Sequence, residues 1–419
     1  MCKKKSSGSP ARHPEPQRIK PLQSRVYMEN NSINSVVISN SVAGQQGGPR
    51  EGGLPADCDA LGNTTKLRSP FANDADQRRF WRYLVQNVVA EILPNERVSR
   101  CMRMIVPGWD SVKVLYSEEF KRAHYGNLAV CGSIWSCPIC AAKITERRRL
   151  ELETGLANWP GEVFMISYTM QHSFQDSLAQ LLKVENKAFH TMQAGKGWQE
   201  LKSKFSVAGT IGSSEVTWGP VNGWHPHRHV LLFCEKNIYS GQIEEIELEF
   251  SERYRNILKS LGGYASSDYG VKFSKGDKFE CAKYACKWGL AEEMAKGPVK
   301  KGRGDNYSPF EIAELAASGE CLYVRLFQEY YWTYKGKKQL HYSRGLRKLL
   351  AMDTEKPDIE LAKEQDEPAI LLAQLARWVW KIICERNLRG SVLQVASSGD
   401  RQSVEMFIDL ILEGIENAR

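Results

Sequence analysis

The chain has 419 residues, 42% of them hydrophobic, and it carries 57 Lys and Arg against 49 Asp and Glu, a formal net charge of +8. This length allows two or three domains, and the composition excludes a wholly disordered protein. The modest positive charge suits a polyanionic partner without requiring one. No stretch approaches the ~18 consecutive apolar residues of a membrane span, and the basic start leads into Ser, Gly and Pro rather than an apolar core. We therefore expect a cytoplasmic protein with no membrane partner.

Residues 1–75 are rich in Ser, Asn, Gly and Pro and have few periodic apolar positions, which predicts a disordered N-terminal extension. A helical, apolar-spaced pattern begins at Asp76 and opens a cysteine-rich segment, 76–160. Cys137 and Cys140 form a CxxC pair, and Cys131 stands six residues earlier. Three thiolates at this spacing suit one tetrahedral Zn²⁺, with Cys101 as the natural fourth ligand. The alternative is a set of buried free cysteines.

The next segment, 161–294, alternates strand and helix patterns. Its order is strand, helix, two strands, helix, strand and helix, which predicts an α+β fold with a central antiparallel sheet and helices on one face. A turn-forming stretch at 219–223 joins the two middle strands into a hairpin. The predicted strands are 163–170, 205–218, 224–233 and 270–274, and the predicted helices are 175–196, 243–258 and 277–289.

Three histidines stand on the third of these strands, at His225, His227 and His229. Alternate side chains of a strand share a face, so His227 and His229 point the same way. Two imidazoles on one face make half of a metal site. The alternative is a pair of partly exposed strand histidines, but three of only eight histidines fall within five residues here. The pattern therefore favours metal binding on a central strand.

The predicted helix at 277–289 carries Glu280, Tyr284 and Lys287 at helical spacing. These three side chains share one face, which therefore offers a carboxylate, a phenol and an ammonium. Taken alone, a surface Glu and Lys flanking a core Tyr would explain the helix better. The histidine strand before it favours a catalytic face instead.

Taken together, these motifs resemble the rolling-circle plasmid replication initiators, the single-tyrosine members of the HUH endonuclease superfamily. The resemblance covers roughly residues 97–350 and rests on several blocks in family order. The similar blocks are the cysteine motif at 131–144, a first nuclease motif at 164–172, the metal motif at 215–232, the catalytic motif at 280–287 and a following block at 336–346.

This resemblance implies a site-specific single-strand DNA endonuclease and strand transferase with an HUH nuclease domain. Tyr284 would attack one phosphodiester of a plasmid origin, leaving a 5′-phosphotyrosine and a free 3′-OH primer, and strands would be rejoined at termination. His227 and His229 would hold Mg²⁺ or Mn²⁺, Lys287 would stabilise phenolate, and Glu280 would activate water or the closing hydroxyl. The implied partners are single- and double-stranded origin DNA and, beyond it, a host helicase and the replication machinery of a bacterium, with a homodimer as one option.

Two points about the metal motif need separate treatment: one residue departs from the family pattern, and the third metal ligand has two candidates. Arg228 stands where the family has an apolar residue between the histidines, and it predicts a less buried face or a DNA contact on that side. The third metal ligand is His172 or Glu215, and we place His172 slightly ahead. His225 is expected to support the site rather than to bind the ion, because Pro226 constrains its backbone.

Basic residues at two places are candidates for DNA contact, although either set could be ordinary surface charge. The first set lies on a helical run after the cysteines, and the second lies among aromatic residues of a basic region, 295–350. A helical C-terminal region, 351–419, would follow, with an exposed acidic spacer at 355–368 and helices at 370–387 and 404–415. The candidate residues are Arg147, Arg148, Arg149, Lys337, Lys338 and Arg344.

Two other functions fit parts of the pattern. A transposase of the same superfamily would share the chemistry but act on the ends of a mobile element. A zinc-stabilised, non-catalytic DNA-binding protein would need the cysteines but not Tyr284. The plasmid initiator and the transposase would both use all the motifs, and genetic context would distinguish them, whereas the non-catalytic protein would leave the tyrosine helix without a role.

Overall fold

The computed structural model of the protein describes residues 74–236, 238, 240–274, 306–365 and 368–416. The predicted tyrosine helix, the basic linker at 295–304 and nearly all of the predicted N-terminal extension lie outside these residues. The eight described strands are β1 (Ser111–Ser117), β2 (Arg122–Gly126), β3 (Glu162–Thr169), β4 (Val207–Gly219), β5 (Gly223–Cys234), β6 (Val271–Ser274), β7 (Leu340–Tyr342) and β8 (Ile370–Ala376).

Twelve α-helices accompany these strands in the described part of the chain. The first six are α1 (Asp74–Ile92), α2 (Pro138–Ala157), α3 (Leu178–Met192), α4 (Gly195–Lys204), α5 (Ser240–Ser260) and α6 (Pro309–Leu315). The remaining six are α7 (Cys321–Tyr334), α8 (Leu346–Leu349), α9 (Asp358–Lys363), α10 (Arg377–Glu385), α11 (Arg389–Ala396) and α12 (Arg401–Glu416).

The main sheet has five strands in the order β6-β3-β5-β4-β7, and all neighbouring strands are antiparallel. The histidine strand β5 lies in the middle and pairs along most of its length with β3 on one side and β4 on the other. Flanking strands on both sides hold its backbone, so its side chains have fixed positions. The predicted α+β fold with histidines on a central strand is confirmed.

A tight connection at 220–222 closes the β4–β5 hairpin. Gly223 begins β5 with a φ of +73°, a conformation that side chains rarely allow. A Cβ atom at this position would lie 2.8 Å from the Cα of Phe174, so there is no room for a larger residue either. This glycine therefore helps to fix the register of the hairpin. The register determines which residue of β4 lies opposite each histidine of β5.

The two faces of the main sheet are covered differently. Val230 and Leu232 of β5 point into a core shared with Phe164 of β3 and with apolar residues of α3 and α5. Leu231 and Phe233 point the other way, into a second core. The sequence predicted helices on one face only, but α2 and the segment 340–352 cover this second face at the end of β5 that lacks the histidines. That second core also contains Leu152, Leu156, Met165, Ile211, Leu340, Leu346 and Leu350.

A second sheet of three strands, in the order β2-β1-β8, was not predicted. It joins residues 111–126 to residues 370–376, so the cysteine-rich segment and the C-terminal region share a core. The sequence predicted a helix over 370–387, whereas only 377–385 is helical. Leucine and alanine favour a helix, but pairing with β1 holds 370–376 as a strand, because tertiary contacts override local propensity.

Residues 355–365, the continuous described part of the acidic segment 355–368, are not the exposed spacer that the sequence predicts. This part contains α9, whose Leu361 and Ala362 are buried, and its carboxylates pair with basic residues of α2. The helix predicted at 404–415 is confirmed as α12. The domain boundaries at 160, 294 and 350 stay predictions.

Within the described residues, no helix combines the length and the apolar character that a membrane crossing requires.

Candidate metal centres

Glu215, His227 and His229 converge on one face of the main sheet. The Oε2 atom of Glu215 is 3.2 Å from Nε2 of His227 and 3.2 Å from Nε2 of His229. Ligands about 2.1 Å from an ion at right angles to one another would be about 3.0 Å apart, so this spacing suits one divalent cation. The side chains of Glu215 and His227 stay 21% and 16% exposed, which leaves one side of such an ion open to a substrate.

The strand register explains why these three residues meet. Glu215 of β4 pairs directly with His227 of β5, and His229 comes two residues later on the same face. Ser167 of β3 lies opposite His229, and its Oγ is 2.9 Å from the Nδ1 of that ring. Hydrogen bonding at Nδ1 orients a ring whose other nitrogen can bind a metal. The sheet therefore presents both Nε2 atoms to the same point.

The short distances in this cluster shift the pKa values of Glu215 and His227 in opposite directions. Burial alone would raise the pKa of Glu215, but hydrogen bonds and charge from His227 and His229 outweigh it and hold the pKa well below its usual range. Burial would lower the pKa of His227, yet the Glu215 carboxylate raises it. The shifts therefore favour a proton on His227 in the metal-free cluster, and a bound ion would compete with that proton.

His172, which the sequence places slightly ahead of Glu215 as the third ligand, is not part of this cluster of ligand atoms. Its Nε2 is 2.7 Å from Nδ1 of His225, and its Nδ1 is 2.9 Å from the carbonyl oxygen of Asn222. Burial, followed by repulsion from His227 and His172, lowers the pKa of His225 to about 4. The geometry therefore groups Glu215, not His172, with the two histidines, and His225 lies next to His227, with 5.3 Å between their ring centres.

Glu215 could have been found from the hairpin itself. The turn centres on Val221, and Glu215 precedes it by six residues while His227 follows it by six. Residues at equal distances from the centre of a two-stranded hairpin lie opposite each other and share a face. The hairpin register alone therefore favours Glu215 over His172.

Arg228 is buried beneath the sheet, so its side chain offers no surface for the DNA contact that the sequence suggests. It is 2% exposed, and its Nη2 lies 3.0 Å from Oε2 of Glu185 and 2.7 Å from Oδ1 of Asn186, both on α3. Its guanidinium also lies 4.4 Å from the ring centre of Phe189. The prediction of a less buried face is wrong, since a buried carboxylate and a ring from α3 compensate the buried cation.

The four predicted zinc ligands also converge. Cys101, Cys131, Cys137 and Cys140 are buried, with all Sγ atoms within 4.8 Å of one another. Three of the Sγ pairs, 101–140, 131–140 and 101–137, are 3.5, 3.6 and 3.7 Å apart. A tetrahedral zinc with bonds of ~2.3 Å would place its sulfurs about 3.8 Å apart, so the cluster fits that ion.

Backbone amides point at the sulfurs, as expected for thiolates. The amides of Cys131 and Cys140 donate to Sγ of Cys101 and Cys137 at 3.3 and 3.4 Å, and the side-chain amide of Gln86 donates to Cys137 at 3.3 Å. Hydrogen bonds from the other three cysteines hold the pKa of Cys140 well below its usual range, whereas a hydrogen bond with Cys101 raises the pKa of Cys131 and burial raises that of Cys137. Without an ion the cluster therefore favours one thiolate, on Cys140, and a bound cation would be needed to hold all four as thiolates.

The predicted DNA-binding arginines of α2 are engaged with carboxylates. Arg147 pairs with Glu364 at 3.0 Å. Arg148 is 5% exposed and pairs with Glu355 and Asp358 at 3.3 and 3.1 Å. Arg149 pairs with Glu146 at 2.7 Å and also with Glu153. Arg147 and Arg148 therefore link α2 to the segment 355–364, and Arg149 forms ion pairs within α2. Because carboxylates already neutralise these arginines, they are poorly placed to bind phosphate.

The second set of predicted DNA-binding residues is more open. Lys337, Lys338 and Arg344 are exposed, and Lys338 pairs with Glu355 at 2.8 Å. Nearby, Lys335 pairs with Glu96 at 2.7 Å and lies 4.6 Å from the ring centre of Trp332, whose side chain is 51% exposed. Cations beside an exposed indole suit a nucleic-acid strand.

Tyr284, Glu280 and Lys287 lie outside the described residues, so their predicted catalytic roles stay predictions.

Comparisons with known proteins agree with the motifs. A family model described as "Replication protein" matches residues 127–383, more than half of the chain. "Protein rep" of Streptomyces lividans is 24% identical over 56% of this chain and 67% of its own length. A "Neomycin resistance protein" of Streptomyces cyanogenus is 25% identical over 25% of this chain and 30% of its own length. No solved structure matches the chain. The model match covers both the cysteine motif and the histidine strand, and on this evidence the chain belongs to the replication protein family.

Proposed function

We propose that this replication protein initiates rolling-circle replication of a plasmid by nicking one strand of its origin. The observation that carries the proposal is the Glu215–His227–His229 cluster, open on one side at the centre of an antiparallel sheet. Three convergent ligands with an open side are typical of catalytic metal sites rather than closed structural ones. The family match supports a role in replication, and the site supplies the chemistry.

The three ligands would hold Mg²⁺ or Mn²⁺, which would polarise the scissile phosphate and favour its attack by an oxygen nucleophile. Glu215 would supply negative charge and the two histidines neutral nitrogen ligands. Ser167 would hold the ring of His229 in place through its Nδ1. The structural centre at Cys101, Cys131, Cys137 and Cys140 would hold Zn²⁺.

Tyr284 would be the nucleophile. Its phenolic oxygen would form a bond to phosphorus while the bond from phosphorus to the 3′ oxygen breaks, and that oxygen would take up a proton. The products are a 5′-phosphotyrosine and a 3′-OH that a polymerase extends. Phenol has a pKa of about 10, so the cationic Lys287 would favour the phenolate. At termination Glu280 would take the proton from water or from the closing hydroxyl.

The exposed basic residues Lys337, Lys338 and Arg344 would contact the DNA backbone, with Trp332 available for stacking on an unpaired base. The proposed setting is the bacterial cytoplasm. A host helicase and the replication machinery would act on the nicked origin, and a homodimer is compatible with this role.

The experiment uses the full chain with supercoiled plasmid that carries its origin, in Mg²⁺ or Mn²⁺. The expected products are nicked circles and protein that stays on the DNA through denaturation. Tyr284→Phe should give neither. Tyr269→Phe is a matched control, because Tyr269 is exposed and close in sequence, and it should nick like wild type.

Glu280→Ala should still nick but release the product poorly at termination. A non-catalytic DNA-binding protein would give no nicked circles with any variant, and that outcome contradicts the proposal. Nicking of a mobile-element end in preference to the plasmid origin would point instead to a transposase.

A further inference from the structure

Arg389, at the start of α11, is the largest fully buried side chain described. Its Nη1 donates to Oε1 of Gln86 at 2.7 Å and to the carbonyl oxygen of Met102 at 2.9 Å, and its Nη2 donates to Asn87. Its guanidinium also lies 5.2 Å from the ring centre of Tyr83. All of these partners are uncharged.

No Asp or Glu of the described chain forms an ion pair with Arg389, and its Nε–H has no hydrogen-bond partner. A second cation lies close by, because Arg103 also donates to Asn87, at 2.6 Å. Glu91 faces Arg103 from α1, but it lies at the surface. A buried cation without an anion is unfavourable, so a negative group is required nearby.

Gln86 connects Arg389 to that group. Its side chain is 0% exposed, its Oε1 accepts from Arg389, and its Nε2 donates to Sγ of Cys137 at 3.3 Å and to the carbonyl oxygen of Cys101 at 3.2 Å. The amide therefore points its oxygen at the cation and its hydrogens at the cysteine cluster. This orientation stabilises positive charge on one side and negative charge on the other.

We propose that Arg389 is the counter-ion of a zinc tetrathiolate at Cys101, Cys131, Cys137 and Cys140, acting through Gln86. Four thiolates around Zn²⁺ carry two net negative charges. Arg389 and Arg103 supply two positive ones on the far side of Gln86 and Asn87. Four neutral thiols would leave Arg389 with no negative group nearby.

The proposal couples the metal to the C-terminal region. Arg389 lies on α11, which packs against α1 and β2, more than 240 residues after the last of the four cysteines in the sequence. Zinc binding therefore stabilises the docking of α11, and zinc removal weakens it. Arg389 is a positioning residue in this scheme and touches neither the metal nor DNA.

The first test measures metal affinity in the full chain by competition with a chelator, using Co²⁺ and its thiolate charge-transfer absorption as the readout. Arg389→Gln should weaken binding by about tenfold to a hundredfold, the range for residues that support metal ligands. Arg389→Lys, which keeps the charge, should recover part of the loss. Arg401→Gln removes an exposed arginine of α12 and should bind like wild type. Wild-type affinity in a folded Arg389→Gln variant would overturn the proposal.

The second test needs no variant. Hydrogen exchange of the wild-type protein is measured with zinc bound and after its removal. Faster exchange is expected at 131–140 and at 389–396, with little change in α5 of the main sheet. If 389–396 stays fully protected while 131–140 opens, Arg389 is not coupled to the metal. Neither test involves DNA, so both outcomes are independent of the nicking reaction.

Discussion

Arg228 and Glu185 form an ion pair in which each side chain is only 2% exposed, directly behind the strand that carries the histidines. The pair ties β5 to α3, and Asn186 and Phe189 complete the surroundings of the guanidinium. Removing one partner from such a pair leaves an isolated buried charge. The face of β5 opposite the metal ligands is therefore held by electrostatics as well as by apolar packing.

We expect Arg228→Ala to lower the free energy of unfolding by about 3–5 kcal/mol, the usual cost of breaking a buried pair. Replacing both partners together, with Arg228→Met and Glu185→Leu, should cost far less, because no charge is stranded. Urea unfolding of the wild type and of these two variants measures the difference. Equal losses in the single and double variants would show that the pair contributes through shape alone.

The third metal ligand can be assigned by direct binding. Glu215→Ala should weaken Mn²⁺ binding at the histidine site by tenfold or more, because it removes a charged ligand. His172→Ala should bind Mn²⁺ like wild type, since its ring contacts His225 and the carbonyl of Asn222. Calorimetric titration of zinc-loaded protein gives both values. A large loss of affinity in His172→Ala with none in Glu215→Ala would make His172 the third ligand instead.

Protonation of His227 should make Mn²⁺ binding depend on pH. The Glu215 carboxylate raises the pKa of His227, so a proton competes with the ion even above the usual histidine pKa of about 6.5. Affinity should therefore rise as pH increases through neutrality, with protons released on binding. Titrations in two buffers of different ionisation enthalpy count those protons. A pH-independent affinity with no proton release would contradict the assignment.

The same shifts predict a stability window for the metal-free site. The raised pKa of His227 contributes stability that is present below its unfolded pKa and is lost as pH rises through the folded value. The lowered pKa of Glu215 contributes stability that is present above its unfolded pKa and is lost as pH falls through the folded value. The pair is thus most stabilising between about pH 4.3 and 6.5, the two unfolded values.

Some of this architecture follows from local sequence and some does not. The central histidine strand is predictable because alternation and a glycine turn are local features. The strand at 370–376 is not, because its leucine-rich sequence favours a helix and its partner β1 lies some 250 residues earlier. The burial of Arg228 is not predictable either, because its acidic partner Glu185 lies on a helix 43 residues earlier in the sequence. Arg148 resembles a phosphate ligand in the sequence because the carboxylates that pair with it lie about 200 residues later.

DNA affinity should depend on Lys337 and Arg344 rather than on Arg147–Arg149. Alanine at both positions should weaken binding to origin DNA and reduce the slope of log affinity against log salt by about 1 for each phosphate that is no longer neutralised. Lys196→Ala is a suitable control, because this lysine is 93% exposed and lies on α4. Fluorescence anisotropy at several salt concentrations measures the slope. An unchanged slope would remove these residues from the DNA interface.

If the protein nicks by transesterification, Tyr284 becomes joined to the 5′ end of the nicked origin. The most direct measurement digests the protein–DNA product formed in Mn²⁺ with protease and nuclease and maps the modified peptide by mass spectrometry. We predict a nucleotide attached through phosphate to Tyr284, absent from Glu215→Ala and from Tyr284→Phe. Attachment at any other residue, or nicked DNA without attached protein, would contradict the account.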